Sequence, residues 1–210
     1  GDFVTDTLTL VDHYLPGPYT PREIYLNDLC GEPQSVPTPC PAATSAITNA
    51  ISDGALLVNY IGHGASDRWA HERVFDTGHV PDLTNGGRLP MFLSMSCLTG
   101  DFSVPDHSSM EGSLLRADGG GSIASWACTA EGESPGHRYL DRRFFRAVFY
   151  EGVTEIGEAT VLGKQHLYRS TDLYHNLIDT YTLFGDPATR LNVPLAFTPR
   201  AHLPLVLCAE

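Results

Sequence analysis

An α/β domain, with a mostly parallel sheet between helices on both faces, is the fold this sequence predicts, and three observations carry it. Three short runs, 55–61, 91–96 and 122–127, are apolar on both of their alternating faces apart from single polar residues, as strands buried under helices on each side have to be. Stretches with apolar residues at helical spacing lie between and after these runs, and strands alternating with helices build parallel sheets. The length of 210 residues is that of one domain with room for a sizeable core.

The elements follow in order. Leu8, Leu10, Val11, Tyr14 and Leu15 form an apolar patch closed by Pro16-Gly17-Pro18, which stops any helix. Ile24-Tyr25-Leu26 reads as a short strand, and residues 30–41, with four prolines, as a loop. Ala43, Ile47, Ala50 and Ile51 recur at helical spacing over 42–53, and Gly54 stops that helix. Residues 62–90 are rich in Gly, Asp, Asn and His; a loop of that length in a compact domain is usually functional. Helices are predicted over 110–117, packed by Met110, Leu114 and Leu115, and over 137–151, packed by Leu140, Phe144, Ala147 and Val148. Another opens at Thr154 and Glu158 and runs to about 169. After Pro194 the chain becomes Pro-punctuated apolar pieces. Residues 1–193 are therefore expected to form the domain and 194–210 a C-terminal linker or tail, with a strand added to the sheet edge as the alternative.

The formal net charge is −12, and the 13 Lys and Arg residues are scattered. Neutralising phosphates needs a basic patch, so nucleic acid is not an expected partner. Acidity of this kind serves solubility first, with attraction of basic substrates or Ca2+ as the second reading. No stretch approaches the roughly 20 apolar residues that span a bilayer. The chain starts at Gly1 with neither Met nor a signal sequence, which predicts a processed piece.

Two of the buried runs end in chemistry. Val58-Asn59-Tyr60-Ile61-Gly62-His63-Gly64 and Phe92-Leu93-Ser94-Met95-Ser96-Cys97-Leu98 carry a His and a Cys just past their apolar parts. If the runs are neighbouring parallel strands, their C-terminal ends lie side by side, where open α/β sheets place ligands. A thiol then faces an imidazole, the pair that nucleophilic thiol catalysis needs: His63 takes the thiol proton and returns it to the leaving group, and Cys97 forms the acyl intermediate. Gly64 lets a substrate backbone come close, and the amides of Gly64 and Cys97 would form an oxyanion hole. Each half alone is a weak signal, since a strand-end Cys is most often a small hydrophobe.

Together, the order of the two residues and their separation of 34 resemble the gingipain-like cysteine peptidases, a family with a caspase-like fold. Further landmarks follow in the same order: Trp69, Gly100-Asp101-Phe102, Gly119-Gly120-Gly121-Ser122-Ile123-Ala124-Ser125, and Thr182-Leu183-Phe184-Gly185-Asp186-Pro187. The resemblance runs from about Ile24 to Leu191. It implies Cys97 as nucleophile, His63 as general base and a protein or peptide as substrate. Trp126, Glu131 and Glu133 fall where the resemblance puts the wall of the pocket for the residue before the scissile bond (P1), and Asp2 and Asp6 are further carboxylates for it, which predicts cleavage after Arg or Lys.

The resemblance also implies a secreted or cell-surface bacterial protein, no cofactor for the chemistry, and Ca2+ as a structural ion. Of the loop carboxylates Asp67, Asp76, Asp82, Asp101 and Asp106, none has the spacing of a known calcium loop. Caspase-like domains begin with a strand ahead of the region matching Leu8 to Leu15. That strand is missing here, which predicts an upstream fragment of the same precursor as a partner.

The five cysteines are an odd number. With Cys97 free, Cys30 and Cys40 are the local pair in one Pro-rich loop, against the alternative of four reduced thiols. Two other functions stand beside the endopeptidase: a sortase-like transpeptidase, in which an amine resolves the acyl-enzyme, and a catalytically silent caspase-like binding domain.

Overall fold

Asp2 starts the first helix: its carboxylate accepts the Thr5 N–H at 3.0 Å and the Thr5 hydroxyl at 2.7 Å, capping α1 (Phe3–Tyr14). The helix ends at Leu15, ahead of the Pro-Gly-Pro stop. The structure, a computed structural model, describes residues 2–31, 37–193 and 204–209, with the side chains of Val206 and Cys208 in the last segment. After α1 come β1 (Thr20–Tyr25), the short α2 (Leu26–Cys30), α3 (Pro41–Ser52) and β2 (Leu57–Ile61). Pro41 opens α3 at a position where a missing N–H costs nothing.

The long segment after β2 is organised by a small antiparallel sheet of β3 (Gly64–Ala65), β4 (Arg68–Trp69) and β5 (Phe75–Asp76). There follow β6 (Met91–Met95), α4 (Met110–Leu115), β7 (Ala124–Cys128), α5 (Ser134–Tyr150), α6 (Ile156–Ser170), α7 (Asn176–Thr180), β8 (Tyr181–Phe184) and β9 (Pro204–Ala209). No helix among the described residues is long and apolar enough to cross a membrane.

The main sheet has the order β1-β9-β2-β6-β7-β8, parallel except for β8, which runs antiparallel to β7. Its two faces bury two cores. Leu57 and Ile61 of β2 join Leu93 and Trp126 under α1, α5 and α6, where Leu10, Leu140, Phe144 and Leu167 pack. Val58 and Tyr60, on the alternate positions, join Phe92 and Val206 under α3 and α4, with Ile47, Ile51, Met110 and Leu114. Residues 57–61 and 91–96 are uniformly buried because each strand has a helical layer on both sides.

The tail expected over 194–210 is corrected at its end. Residues 204–209 form an interior strand, parallel to both neighbours, with Val206 opposite Arg22 on one side and Val58 on the other. Residues 194–203 lie outside the described part. β8, α2 and α7 were not foreseen either; each is only four or five residues long and depends on packing against its neighbours.

Cys30 and Cys40 are joined in a disulfide, with Cα atoms 5.7 Å apart, and Cys97, Cys128 and Cys208 are free thiols. Denatured without reductant, the protein should titrate three thiols, and five after reduction. Replacing both bridge cysteines by Ser should lower the unfolding free energy by about 2–4 kcal/mol, read from urea denaturation.

Candidate active site

The site begins with a register. β2 and β6 pair in parallel with Leu57 opposite Met91 and Ile61 opposite Met95, an offset of 34 residues. His63 and Cys97 are separated by the same offset, each two residues past its strand. Both therefore stand at the same height above the C-terminal edge of adjacent strands, whose spacing is about 4.8 Å. The Gly62 N–H reaches the Met95 carbonyl at 3.4 Å, prolonging the contact past the ladder.

The two turns touch. A Cβ on Gly64 would lie 2.7 Å from the Cys97 carbonyl oxygen and 2.8 Å from Ser96 Oγ, so only glycine lets the chain after His63 lie against the chain at Cys97. Leu98 takes a positive φ of 62°, a conformation unfavourable for a residue with a Cβ. It is held there by its N–H on Ala130 O at 3.0 Å and its carbonyl under the Asp101 N–H at 2.8 Å. The Leu98 amide is thus committed to Ala130.

Cys97 is half-buried, and its thiol lies against the loop after β7: Sγ is 3.2 Å from the Gly132 carbonyl, and the Gly132 N–H is 3.4 Å from Sγ. Gly132 is the residue that sequence reasoning missed, although its neighbours Glu131 and Glu133 were singled out. Its lack of a side chain is required, since a Cβ there would meet His137 Nε2 and Leu177 Cδ2 at 2.7 Å each. The other two free thiols are buried, which pushes Cys128 up and Cys208 up to about 12. Cys97 alone of the three reaches solvent.

The His63 ring is exposed. It stands edge-on to Phe3 at 5.4 Å and lies 5.4 Å from the ring of His71. Its main chain is fixed by the Ala70 N–H, which donates to His63 O at 2.8 Å, and by the Tyr60 hydroxyl, which donates to the same oxygen. The Tyr60 ring stacks on Trp69 at 4.5 Å, so the landmark Trp69 is a buried platform beneath the His63 turn.

These are the features on which comparison with known proteins turns. Residues 3–192 match the profile of peptidase family C25. The chain belongs to that family. It is 32% identical over 158 residues to gingipain R2 of Porphyromonas gingivalis, covering 68% of this chain and 20% of that protein, and equally to gingipain R1 of the same organism, covering 15% of it. The chain thus spans about one fifth or less of these curated relatives. Among solved structures it resembles the complex of the pro- and mature domains of Porphyromonas gingivalis RgpB, with a TM-score of 0.66, 26% identity and coverage of 76% of this chain and 38% of that one. It also resembles the Arg-specific cysteine proteinase gingipain R, with a TM-score of 0.68, 22% identity and coverage of 90% and 52%. The caspase-like α/β fold expected from the sequence is the one these likenesses carry.

The candidate pocket residues are divided by the structure. Glu131 and Glu133 are exposed on either side of Gly132, at the rim beside the thiol, and Asp2 is exposed one residue before Phe3, which touches His63. Hydrogen bonds from Thr5 hold the Asp2 carboxyl below its usual range. Trp126 is a correction. Trp126 lies mid-strand, fully buried among Phe144 and Tyr181 and against Gly163, and does not reach the strand end. Asp6 is buried on the inner side of α1, 3.5 Å from Arg138 and 3.4 Å from Arg142, and shares a small cavity with Ile61 and Met95 at the ends of β2 and β6.

Among the described residues, no group of three or more His, Cys, Asp or Glu side chains is placed together to hold a metal ion. Asp67 is engaged by Arg68 and Arg73, Asp76 by Arg73 and His79, and Asp101 by the Ser103 N–H.

Beneath the site lie buried ionisable groups that the sequence did not flag. Glu111 of α4 accepts the Ser94 hydroxyl at 2.7 Å, and burial raises its carboxyl. Asp141 of α5 accepts from Asn59 Nδ2 at 2.9 Å, and burial pushes it up to about 7; His137, one turn away, is pushed down to about 4 by burial. Their effects on stability have opposite sign. Between about pH 4 and 7 Asp141 ionises in the unfolded chain while it stays neutral in the fold, which lowers stability as pH rises; between about 6.5 and 4 His137 charges in the unfolded chain while it stays neutral in the fold, which lowers stability as pH falls. Asp141→Asn should therefore gain stability relative to the parent as pH rises through the first window. His137→Gln should gain it as pH falls through the second. Thermal melts at half-unit steps check both.

Proposed function

We propose that this chain carries a cysteine endopeptidase centre with Cys97 as nucleophile and His63 as general base and acid. The single observation that supports it most is the shared register, which brings a half-exposed thiol and an exposed imidazole to one height on adjacent strand ends. Cys97 gives its proton to His63 and attacks the scissile carbonyl; the amides of Gly64 and Cys97 stabilise the oxyanion; His63 protonates the leaving amine; water then hydrolyses the thioester. This chemistry draws on side chains and main-chain amides alone. The Gly132 carbonyl contact to Sγ fixes the thiol before the substrate arrives.

Cleavage after Arg or Lys belongs to the same proposal. Glu131 and Glu133 are exposed on either side of Gly132, which touches the thiol, Asp2 is exposed next to Phe3, which touches His63, and one solved relative is named as Arg-specific. A charged P1 group held by a carboxylate discriminates strongly against neutral side chains, because those leave the acid without its partner. A secreted or cell-surface setting is proposed from the Cys30–Cys40 disulfide, which persists in oxidising compartments. An upstream fragment of the same precursor is proposed as a partner, supported by likeness to a structure of pro- and mature domains in complex.

Cys97→Ala should abolish peptide hydrolysis while the fold persists, and His63→Ala should fall by a similar factor, since residues that act as a unit do not lose activity additively. A peptidyl electrophile ending in Arg should label the parent at Cys97 and leave Cys128 and Cys208 untouched, as mass spectrometry of the digest would show. Turnover retained in purified Cys97→Ala would place the chemistry elsewhere. Glu131→Gln with Glu133→Gln should lower kcat/KM for Arg peptides about tenfold or more relative to Ala peptides; an unchanged ratio would return these carboxylates to a purely solvated role.

A further inference from the structure

Against the outer surface of α5 lies a cleft that the proposed chemistry does not use. It encloses about 460 Å³ where α1, α5 and α6 meet, and its walls include Tyr14, Arg138, Tyr139, Arg142, His166 and Tyr174. The wall carries two guanidiniums and no carboxylate. Arg138 and Arg142 share one carboxylate, Asp6, through single contacts of 3.5 and 3.4 Å. Each guanidinium has five N–H donors, so most of each fork stays available. The side chains are 43% and 33% exposed, on the cleft side of that contact.

The rings supply the rest of a recognition surface. Tyr14, Tyr139 and Tyr174 present flat apolar faces with polar tips, the combination that binds extended peptide at low entropic cost. His166 stands 6.0 Å from the Tyr139 ring, and burial together with Arg143 and Arg146 lowers its pKa. Near pH 7 it is a neutral hydrogen-bonding group rather than a third cation.

Position links the cleft to the thiol. Pro135, on its wall, is three residues from Gly132, which touches Cys97 Sγ. Three residues of chain reach at most about 10 Å. A peptide bound at Cys97 would cover that distance within about three or four residues.

We propose that this cleft is a remote subsite for an acidic side chain of the bound peptide, Asp or Glu, placed about three to five residues from the scissile bond and flanked by an apolar residue lying on the tyrosines. The inference rests on the peptidase reading, which puts a peptide at Cys97. The guanidiniums take the carboxylate through charge-assisted hydrogen bonds.

The test compares fluorogenic peptides with a common cleavage core, carrying Glu or isosteric Gln at the third, fourth or fifth position on either side of the bond. The readout is the ratio of kcat/KM for Glu over Gln within each protein, so that general damage cancels. The parent should show a ratio of about tenfold at one position, expressed in KM, which half-molar salt collapses. Arg142→Gln should bring the ratio to near one. Leu173→Glu, at an exposed cleft residue that does not hold Asp6, should do the same by repulsion. Equal rates for Glu and Gln peptides at every position in the parent, or a ratio that survives both substitutions, would overturn the subsite. If no peptide is cleaved at all, it is the peptidase reading that fails. Fluorescence anisotropy of the same labelled Glu and Gln peptides on Cys97→Ala then decides the cleft separately, with preferential binding of the Glu peptide supporting it and equal binding ending it.

Discussion

The parallel pairing of β2 with β6 is the constraint from which the rest of the site follows. A slip of one residue would turn every side chain of β2 to the other face and carry His63 out of level with Cys97. Because both faces of β2 are buried, a simple apolar-inside, polar-outside pattern does not choose between the two settings. Two particular contacts do. Asn59 meets the Asp141 carboxyl under α5, while the Tyr60 ring stacks on Trp69 on the opposite face. Slipped, the Asn59 amide would enter an apolar layer without a partner, at a cost of about 1–3 kcal/mol. The buried polar pair is thus a register device, and through the register it places the imidazole.

From the two strand ends the chain has to turn without pulling the thiol and imidazole apart. Gly64 achieves this by absence, since any Cβ would collide with the Cys97 carbonyl. Leu98 achieves it by strain, accepting a left-handed conformation worth about 1–2 kcal/mol that Ala130 and Asp101 hold in place. Gly132 closes the arrangement from a third strand. Loops after β2, β6 and β7 therefore meet at Cys97, and each contributes a residue whose smallness or backbone conformation the contact requires.

Much of this was readable in the chain because it is local. Uninterrupted apolar runs identify buried strands, and a His or Cys two residues past such a run identifies a strand-edge group. What was unreadable depends on distant partners. Trp126 and Asp6 were plausible pocket residues by type; one sits mid-strand and cannot reach the edge, and the other meets two arginines more than 130 positions away in sequence. The interior position of residues 204–209 was hidden for the same reason. Six residues opening on a proline look like a linker or an edge strand, and only their hydrogen-bonding to β1 and β2 shows otherwise. Gly132 lay between two residues already singled out, and a glycine carries no signal until the neighbour that needs its space is known.

The distribution of charge around the start of α5 adds a direction to this geometry. Arg68 and Arg73 pair with Asp67 and Asp76, Arg143 and Arg146 with Glu151, and Arg190 with Glu155, so these five arginines are matched locally. Among the described residues, no ion pair of this kind engages Asp2, Glu131 or Glu133, and Arg138 with Arg142 share a single acid. Carboxylates thus stand on the thiol side of the helix start and guanidiniums on the cleft side, within a few residues of chain. Such a separation does not depend on any one contact, and it acts on an approaching peptide before close packing begins. A chain whose basic residue faces the carboxylates while its acidic residue faces the arginines is attracted at both ends; the reversed chain is repelled at both. The order of charges along the substrate would then choose the direction in which it lies across Cys97.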